Sequence, residues 1–411
     1  MDNIELLNYA KEGSYSKQAW IGGLPQFNMD IIDLEGSTNY RVAQKFHGQY
    51  DLVWVCEKPL NDYHCLSWKI ILDEAVRLLK QIGKLVVKFR QTTHFTTPML
   101  KSFLGRNINL DVKLDYEYND KDYYNIVFVI TRLNFEIYHA KTWTFAMLTN
   151  GQKDDVVLKF LESIRNNELS KSQIIISGPK KEIYDKYDVE YLDLSKYRDD
   201  KYAEISRKKN DIVKMAKEAN ILIAHDRYFL DNNFFIDFEN YGYDFDFLAI
   251  RQKSITSKKD FPSYCYTYGL NLSWSHPGVN TCLNQLPEST YINGGLMVFK
   301  TNTIKQIGFN NLLFWNQQED VEITRKFQEC SIIPRVNFIA SAYTTRDANE
   351  YPFDVYDGKK IHYKCDMTRK TRPSFYGVTW NKHRYTSIKL YLKTKFPFLV
   401  YVWRFLHLSK V

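Results

Sequence analysis

The sequence has no stretch approaching the ~20 apolar residues that cross a bilayer, and its opening, MDNIELLNYA, carries no basic segment followed by an apolar one. Both absences argue for a cytoplasmic chain. Its six cysteines, Cys56, Cys65, Cys265, Cys282, Cys330 and Cys365, include no CxxC pair, which argues against a disulfide framework or a thiolate zinc site. No internal repeat and no low-complexity linker interrupts the 411 residues, a length that accommodates two domains. Acidic residues are missing altogether from Met367 to Val411, where ten Lys or Arg stand. With 56 basic and 48 acidic residues in all, the first 366 therefore hold 46 and 48, a net of −2 against +8 for the whole chain. The basicity is a tail, and it points to one anionic surface rather than to a globally basic binder.

What the chain does carry is two rounds of strand and helix, with a change of character over residues 134–142 (NFEIYHAKT). In the first round QYDLVWV (49–55) predicts a buried strand, SWKIILDEAVRLLKQIG (67–83) a helix ended by Gly83, and KLVVKF (84–89) and NIVFVITRL (125–133) further strands. In the second, TWTFAMLT (142–149) and SQIIISG (172–178) predict strands around a helix at 154–167. A polar helix at 205–220 then leads into ILIAHD (221–226). Strand, helix, strand in this order implies right-handed crossovers and parallel sheets, an α/β fold with two Rossmann-like units.

In an open parallel sheet ligands bind beyond the carboxyl ends of the strands. Asp226 ends such a strand, where a carboxylate can ligate a hard divalent cation or face a diphosphate; equally, His225 and Asp226 could only cap the next turn. Later, Gly294 and Gly295 in YINGGLMVFK (291–300) allow close backbone approach to a ligand, as a plain tight turn would. In FWNQQEDVEITRKF (314–327), Glu319 and Asp320 open a helix, where acids also complement the macrodipole. The literal Asp-x-Asp at Asp244 and Asp246 lies among alternating aromatics, a pattern that fits one solvated face, and ranks second to Asp226. His276, in a loop beside Pro277, is a weaker candidate for an acceptor site.

Taken together, residues 142 to about 365 resemble the nucleotide-sugar glycosyltransferases of the GT-A fold, in particular the large inverting family-two group. TFAMLTNGQKDDVVLKFLESI (144–164) resembles the opening unit, SRKKN (206–210) the helix start, AHD (224–226) the acidic motif without its first acid, and INGG followed by W-x-x-x-E-D the catalytic stretch. The resemblance implies donor contacts from Thr149, Asn150, Arg207, Asn210, His225 and Asp226, with Arg207, Lys208 and Lys209 able to meet phosphates directly. It implies a Mn2+ or Mg2+ ion held by Asp226 and His362, with His225 as a second ligand or a polar wall. On the acceptor side it implies Asn293, Gly294, Gly295 and Trp315, with Asp320 as catalytic base and Glu319 as acceptor-binding partner, or the reverse. The reaction it implies is single displacement with inversion, from a nucleotide-sugar donor to a glycan or lipid-linked glycan.

The first unit, QYDLVWVCEKPL with DEAVRLLKQIGKLVVKF, resembles the later half of a Rossmann-like methyltransferase that uses S-adenosylmethionine. AWIGGLPQFNMDIIDLEG (19–36) offers Gly22 and Gly23 but no GxGxG turn, so a degenerate, noncatalytic unit is expected. The chain then divides into a methyltransferase-like domain at 1–137, a GT-A domain at 138–366 and a basic aromatic segment at 367–411. In the last, Ile388, Leu392, Leu399, Trp403 and Leu406 fall at helical spacings beside Lys389, Lys393, Lys395 and Arg404. That pattern suits peripheral attachment to an anionic membrane at ~1 kcal/mol per basic residue, or a helix packed on the core. Nucleic acid is not an expected partner, since the remainder is slightly acidic and shows no binding module. Two rivals stand: a methyltransferase acting on a glycan, and a noncatalytic glycan- or membrane-binding protein.

Overall fold

The computed structural model describes residues 15–347 except 26–27, 36, 38–39, 64–66, 121, 198–202, 269–270, 279–289 and 315–316. Trp315, His362 and the whole basic segment 367–411 lie outside the described residues.

The first sheet is built from β1 (Gln18–Ile21), β2 (Asp30–Ile32), β3 (Tyr50–Val55), β4 (Leu79–Phe89), β5 (Leu110–Asp120) and β6 (Tyr123–Arg132), in the order β2-β1-β3-β4-β6-β5. Helix α1 (Ser67–Leu78) joins the parallel strands β3 and β4, and with α2 (Thr97–Gly105) it packs Ile70, Ile71, Leu100 and Phe103 into the core. Two expectations are corrected. The helix predicted to run to Gly83 ends at Leu78, because Leu79 already pairs with Tyr50 and residues 80–83 extend β4. The strand predicted at 125–133 is antiparallel, and it returns from β5, a strand that the charged, half-exposed sequence LDVKLDYEYND did not announce.

The second sheet has nine strands. Its parallel centre comprises β7 (Trp143–Leu148), β8 (Gln173–Ser177), β9 (Val189–Tyr191) and β10 (Asn220–His225). Continuous apolar runs make β7, β8 and β10, as burial on both faces requires, whereas β9, Val-Glu-Tyr, is only half-buried. Then come β11 (Tyr228–Leu230), β12 (Phe247–Ser254) with its short partner β13 (Asp260–Phe261), and a separate three-stranded sheet of β14 (Tyr264–Tyr268), β15 (Asn271–Gly278) and β16 (Thr290–Ile292). The large sheet is completed by β17 (Leu296–Lys300) and β18 (Arg335–Thr344), in the order β11-β18-β12-β17-β10-β7-β8-β9. One face is covered by α3 (Asp154–Arg165) and α5 (Phe234–Tyr241), where Phe160, Phe234 and Phe238 surround Trp143 and Phe145. The other is covered by α4 (Ile205–Met215), α6 (Thr301–Ile307) and α7 (Glu319–Glu329) through Ile212, Ile304 and Phe327. The predicted parallel order of β7, β8 and β10 holds. Strand β17 enters antiparallel beside β10, with Ala224 opposite Leu296.

The two sheets meet across buried charge. Arg77, at the end of α1, donates to Asp244 Oδ1 at 2.7 Å and Asp246 Oδ2 at 3.0 Å, and Arg132 donates to Asp244 Oδ2 at 2.6 Å. Asp246 Oδ1 also accepts from Asn109, Tyr138 and Thr303. Arg335 reaches back from β18 to Asp73 at 2.8 Å and Glu74 at 3.2 Å. The solvated face expected for Asp244 and Asp246 is therefore wrong: both are buried, 0% and 5% exposed, and serve as the counter-charges of the first sheet. Burial alone would raise the Asp244 carboxyl, but Arg132 and Arg77 outweigh it and hold it well below the ordinary range. Removing one partner of such a group leaves an uncompensated buried charge. Arg132→Met is thus expected to cost about 3–5 kcal/mol in urea denaturation, and a loss within the range of ordinary surface substitutions would show that water screens this interface.

Candidate active site

The carboxyl ends of β7, β8 and β10 bring three predicted positions together. Thr149, just past β7, donates its hydroxyl to Asp226 Oδ2 at 2.9 Å and accepts from the Gly151 amide at 3.0 Å. Its own amide bonds to Ser177 O at 3.0 Å. Asp226 follows β10, with its amide on Leu148 O, and the Lys153 ammonium faces its second oxygen at 3.6 Å. Asn150 is exposed and accepts from the Gln152 amide within the same turn.

His225 is fixed through its backbone to Gly295 O at 2.9 Å. Burial first, then the nearby Lys209, Arg227 and Lys153 charges, hold its ring well below the ordinary histidine range, so it is neutral at physiological pH. Its Nε2 has no hydrogen-bond partner among the described residues. Antiparallel pairing of β10 with β17 sets Gly294 and Gly295 beside this strand end. A Cβ on Gly295 would stand 2.1 Å from Arg227 Nη2, and one on Gly294 would stand 2.9 Å from Glu319 Oε1 and 3.0 Å from Asp320 Cβ. Side chains have no room there, which is the physical content of the INGG motif.

Helix α7 begins at the same place. Gln318 takes a left-handed conformation (φ 65°, ψ 40°), and the helix is tied down where Thr324 donates to Asp320 O at 2.7 Å and accepts from the Ile292 amide at 3.3 Å. The Gly294 amide bonds Asp320 Oδ2 at 3.1 Å and the Val321 amide bonds Oδ1 at 2.9 Å, leaving each oxygen a further lone pair. Burial, and next the Glu319 charge, push the Asp320 carboxyl up to about 6, against the opposing pull of the two amides and Lys209. Asp226 and Asp320, 94 positions apart, thus stand at one edge of the sheet, joined through His225, Gly295 and Gly294.

Other predicted residues are engaged elsewhere. Arg207 pairs with Glu204 at 2.9 Å beside the Tyr197 ring. Asn210 bonds Phe309 O, the Phe309 amide and Asn311, holding the turn after α6. Asn293 accepts from the Gly295 amide at 3.1 Å and so shapes the turn. Lys209, read as a phosphate contact, is fully buried instead, with Nζ 3.2 Å from Glu319 Oε1 and 3.0 Å from Gly294 O. Sequence reasoning missed this pair and the role of Lys153. The available signal was position: Lys209 falls on the apolar stripe of α4 with Ile205, Ile212 and Val213. Among the described residues no group of three or more His, Cys, Asp or Glu is placed to hold a metal ion; Asp226 supplies one carboxylate, and His362 is outside that set. No helix among them is long and apolar enough to cross a membrane.

No protein-family model and no curated protein matches the sequence. Solved structures give distant matches. Residues 1–349 of S. aureus TarS share 14% identity at a TM-score of 0.33, covering 50% of this chain and 60% of that one. The same protein in complex with UDP-GlcNAc gives 13%, 0.34, 50% and 59%. GalNAc-T7 with UDP, GalNAc and Mn2+ gives 11%, 0.39, 56% and 46%. The chain thus spans less than two thirds of each, and similarity at this level does not fix a shared activity.

The Asp320 environment is directly measurable. A carbon-13 titration of the aspartate side-chain carboxyls, with Asp320→Asn to assign the resonance, is expected to give a midpoint near 6 for Asp320. A midpoint in the ordinary aspartate range would mean that water reaches the carboxyl freely.

Proposed function

We propose that the chain is a GT-A-type glycosyltransferase that moves a sugar from a nucleoside-diphosphate donor to a glycan or lipid-linked glycan with inversion. The observation that carries this reading is the convergence of Asp226 and Asp320 at one strand edge, with Asp320 half-buried and its carboxyl raised to about 6. A carboxylate raised that far is still ionised at neutral pH and is a better proton acceptor than an ordinary one. In the reaction Asp320 takes the proton of the acceptor hydroxyl as its oxygen bonds to the anomeric carbon. The opposite bond, to the diphosphate oxygen, breaks with its electron pair leaving on that oxygen. Lys153, beside Asp226, supplies positive charge on that side. No step is assigned to a metal, because the described residues do not complete a ligand set; a Mn2+ or Mg2+ ion on Asp226 and His362 remains a variable of the assay.

The first sheet supports the noncatalytic reading of its unit. The Glu57 carboxylate accepts from the Gly23 amide, from the Leu24 amide at 3.2 Å and from Trp20 Nε1 at 3.3 Å, and so fills the turn after β1 where a cofactor would lie. On this reading 1–137 positions the catalytic unit at 138–366, and 367–411 attaches it to an anionic membrane. Failure of the chain to bind labelled S-adenosylmethionine is expected, and saturable binding would revive the methyltransferase reading.

A thermal-shift panel of UDP-, GDP- and CMP-sugars with Mn2+, Mg2+ or chelator identifies the donor and its metal dependence together. Ligand at a hundred times its Kd stabilises by about 2.7 kcal/mol. With that donor, Asp320→Asn is expected to lower turnover by at least about 100-fold with donor binding nearly unchanged. Because the base acts deprotonated, wild-type kcat/KM should fall as pH drops below about 6 and level off above it. Unchanged turnover in the variant would remove the base assignment.

A further inference from the structure

The pair Glu319–Asp320 leaves open which acid holds the proton, and the contacts of Lys209 decide it. The Lys209 ammonium is fully buried on α4 and touches Glu319 Oε1 at 3.2 Å and Gly294 O at 3.0 Å. An ammonium withdrawn from water in this way is tolerated only with a charged partner and its remaining protons bonded. Glu319, itself 8% exposed, is that partner. Asp320 makes no such ion pair with Lys209; its oxygens take two backbone amides.

We propose that Lys209 is a positioning residue for the acid pair: its buried ammonium engages Glu319 in an ion pair and leaves Asp320 as the member that accepts and returns the proton. This rests on the glycosyltransferase reading for its catalytic meaning, but the proton assignment itself does not. Among the described residues the charged and titratable groups around the pair are few. Lys209 approaches from α4, Arg227 lies against Gly295 at the strand edge, and His225, also at that edge, is neutral. Of these, Lys209 makes the direct contact with Glu319. A positive charge without the contact would not orient Glu319, and the contact without charge would leave the carboxylate without a counter-ion. Lysine supplies both from a position that sequence pattern marks as core.

The test is the carboxyl titration of the full chain with four variants. Lys209→Met removes charge and bond, Lys209→Gln keeps a donor without charge, Lys209→Arg keeps the charge, and Glu319→Gln removes the neighbouring anion. The Asp320 midpoint is expected to rise by a factor of ten or more in proton affinity in Lys209→Met and Lys209→Gln. It should stay within threefold of wild type in Lys209→Arg and fall at least tenfold in Glu319→Gln, opposite signs that general loosening of the fold does not produce. Should Lys209→Met fail to fold, judged by circular dichroism, the glutamine variant carries the same expectation. An unchanged midpoint in Lys209→Met and Lys209→Gln, or a wild-type chain in which Glu319 rather than Asp320 carries the proton, overturns the proposal. Where the donor is in hand, the acidic limb of kcat/KM should move with the midpoint. A midpoint that moves while the limb does not would leave the coupling standing and remove Asp320 as base, so the two failures are told apart.

Discussion

The antiparallel entry of β17 beside β10 is the constraint on which the site depends. With Ala224 opposite Leu296, the carboxyl end of one strand is placed against the amino end of the other, and the Gly294–Gly295 pair lies between them. Four polar connections then pass through two residues: Gly295 O accepts from the His225 amide, the Gly295 amide is held by Asn293, Gly294 O accepts from Lys209, and the Gly294 amide holds Asp320. A parallel strand in that position would have carried the glycines to the opposite edge of the sheet, away from Asp226. The glycines are required because the backbone itself is the structural link, and the groups around it approach to within contact of where side chains would begin.

A second use of buried charge holds the two sheets together. Asp244 and Asp246 interact with two guanidinium groups from the first sheet, and Arg335 returns the relation to Asp73 and Glu74. Replacing such a network with apolar side chains is often neutral, whereas removing one member is costly, so the network couples the folding of the two sheets more surely than it adds stability. Each sheet carries charges that are satisfied by the other. This is a physical reason for a chain to retain the first unit, whose turn after β1 is closed by Glu57.

Much of this was legible before any coordinates. Continuous apolar runs marked β7, β8 and β10, and the strand ending at residues 225–226 stands where the alternation placed it. What pattern could not provide was the direction of β17 and β6, since the periodicity of a buried strand is the same whichever way it runs. Gly83 misled for a related reason: a glycine after a helical stretch signals a stop, yet here it sits within β4, where its missing side chain makes way for Leu79. Asp244 and Asp246 misled because their partners, Arg77 and Arg132, lie more than a hundred positions away, and long-range pairing leaves no local periodicity. Lys209, read as a phosphate contact, shows the opposite case, in which a local anomaly, a charge on an apolar stripe, was there to signal burial and was passed over.

The electrostatic layout along the strand edge also explains why the two acids differ. Asp226 is partly open, accepts from a hydroxyl and is faced by Lys153, a setting that places positive charge at this end of the strands. Asp320 is half-buried beside a like charge, a setting that favours proton uptake. On the proposed reading, displacement of a diphosphate by a hydroxyl needs both conditions at once, and a single environment cannot supply them, because the positive charge that steadies the departing group would also weaken a base placed next to it. The two glycines and the half-buried His225 lie between these settings. The neutral imidazole carries no charge across that gap, which preserves the difference between the two ends.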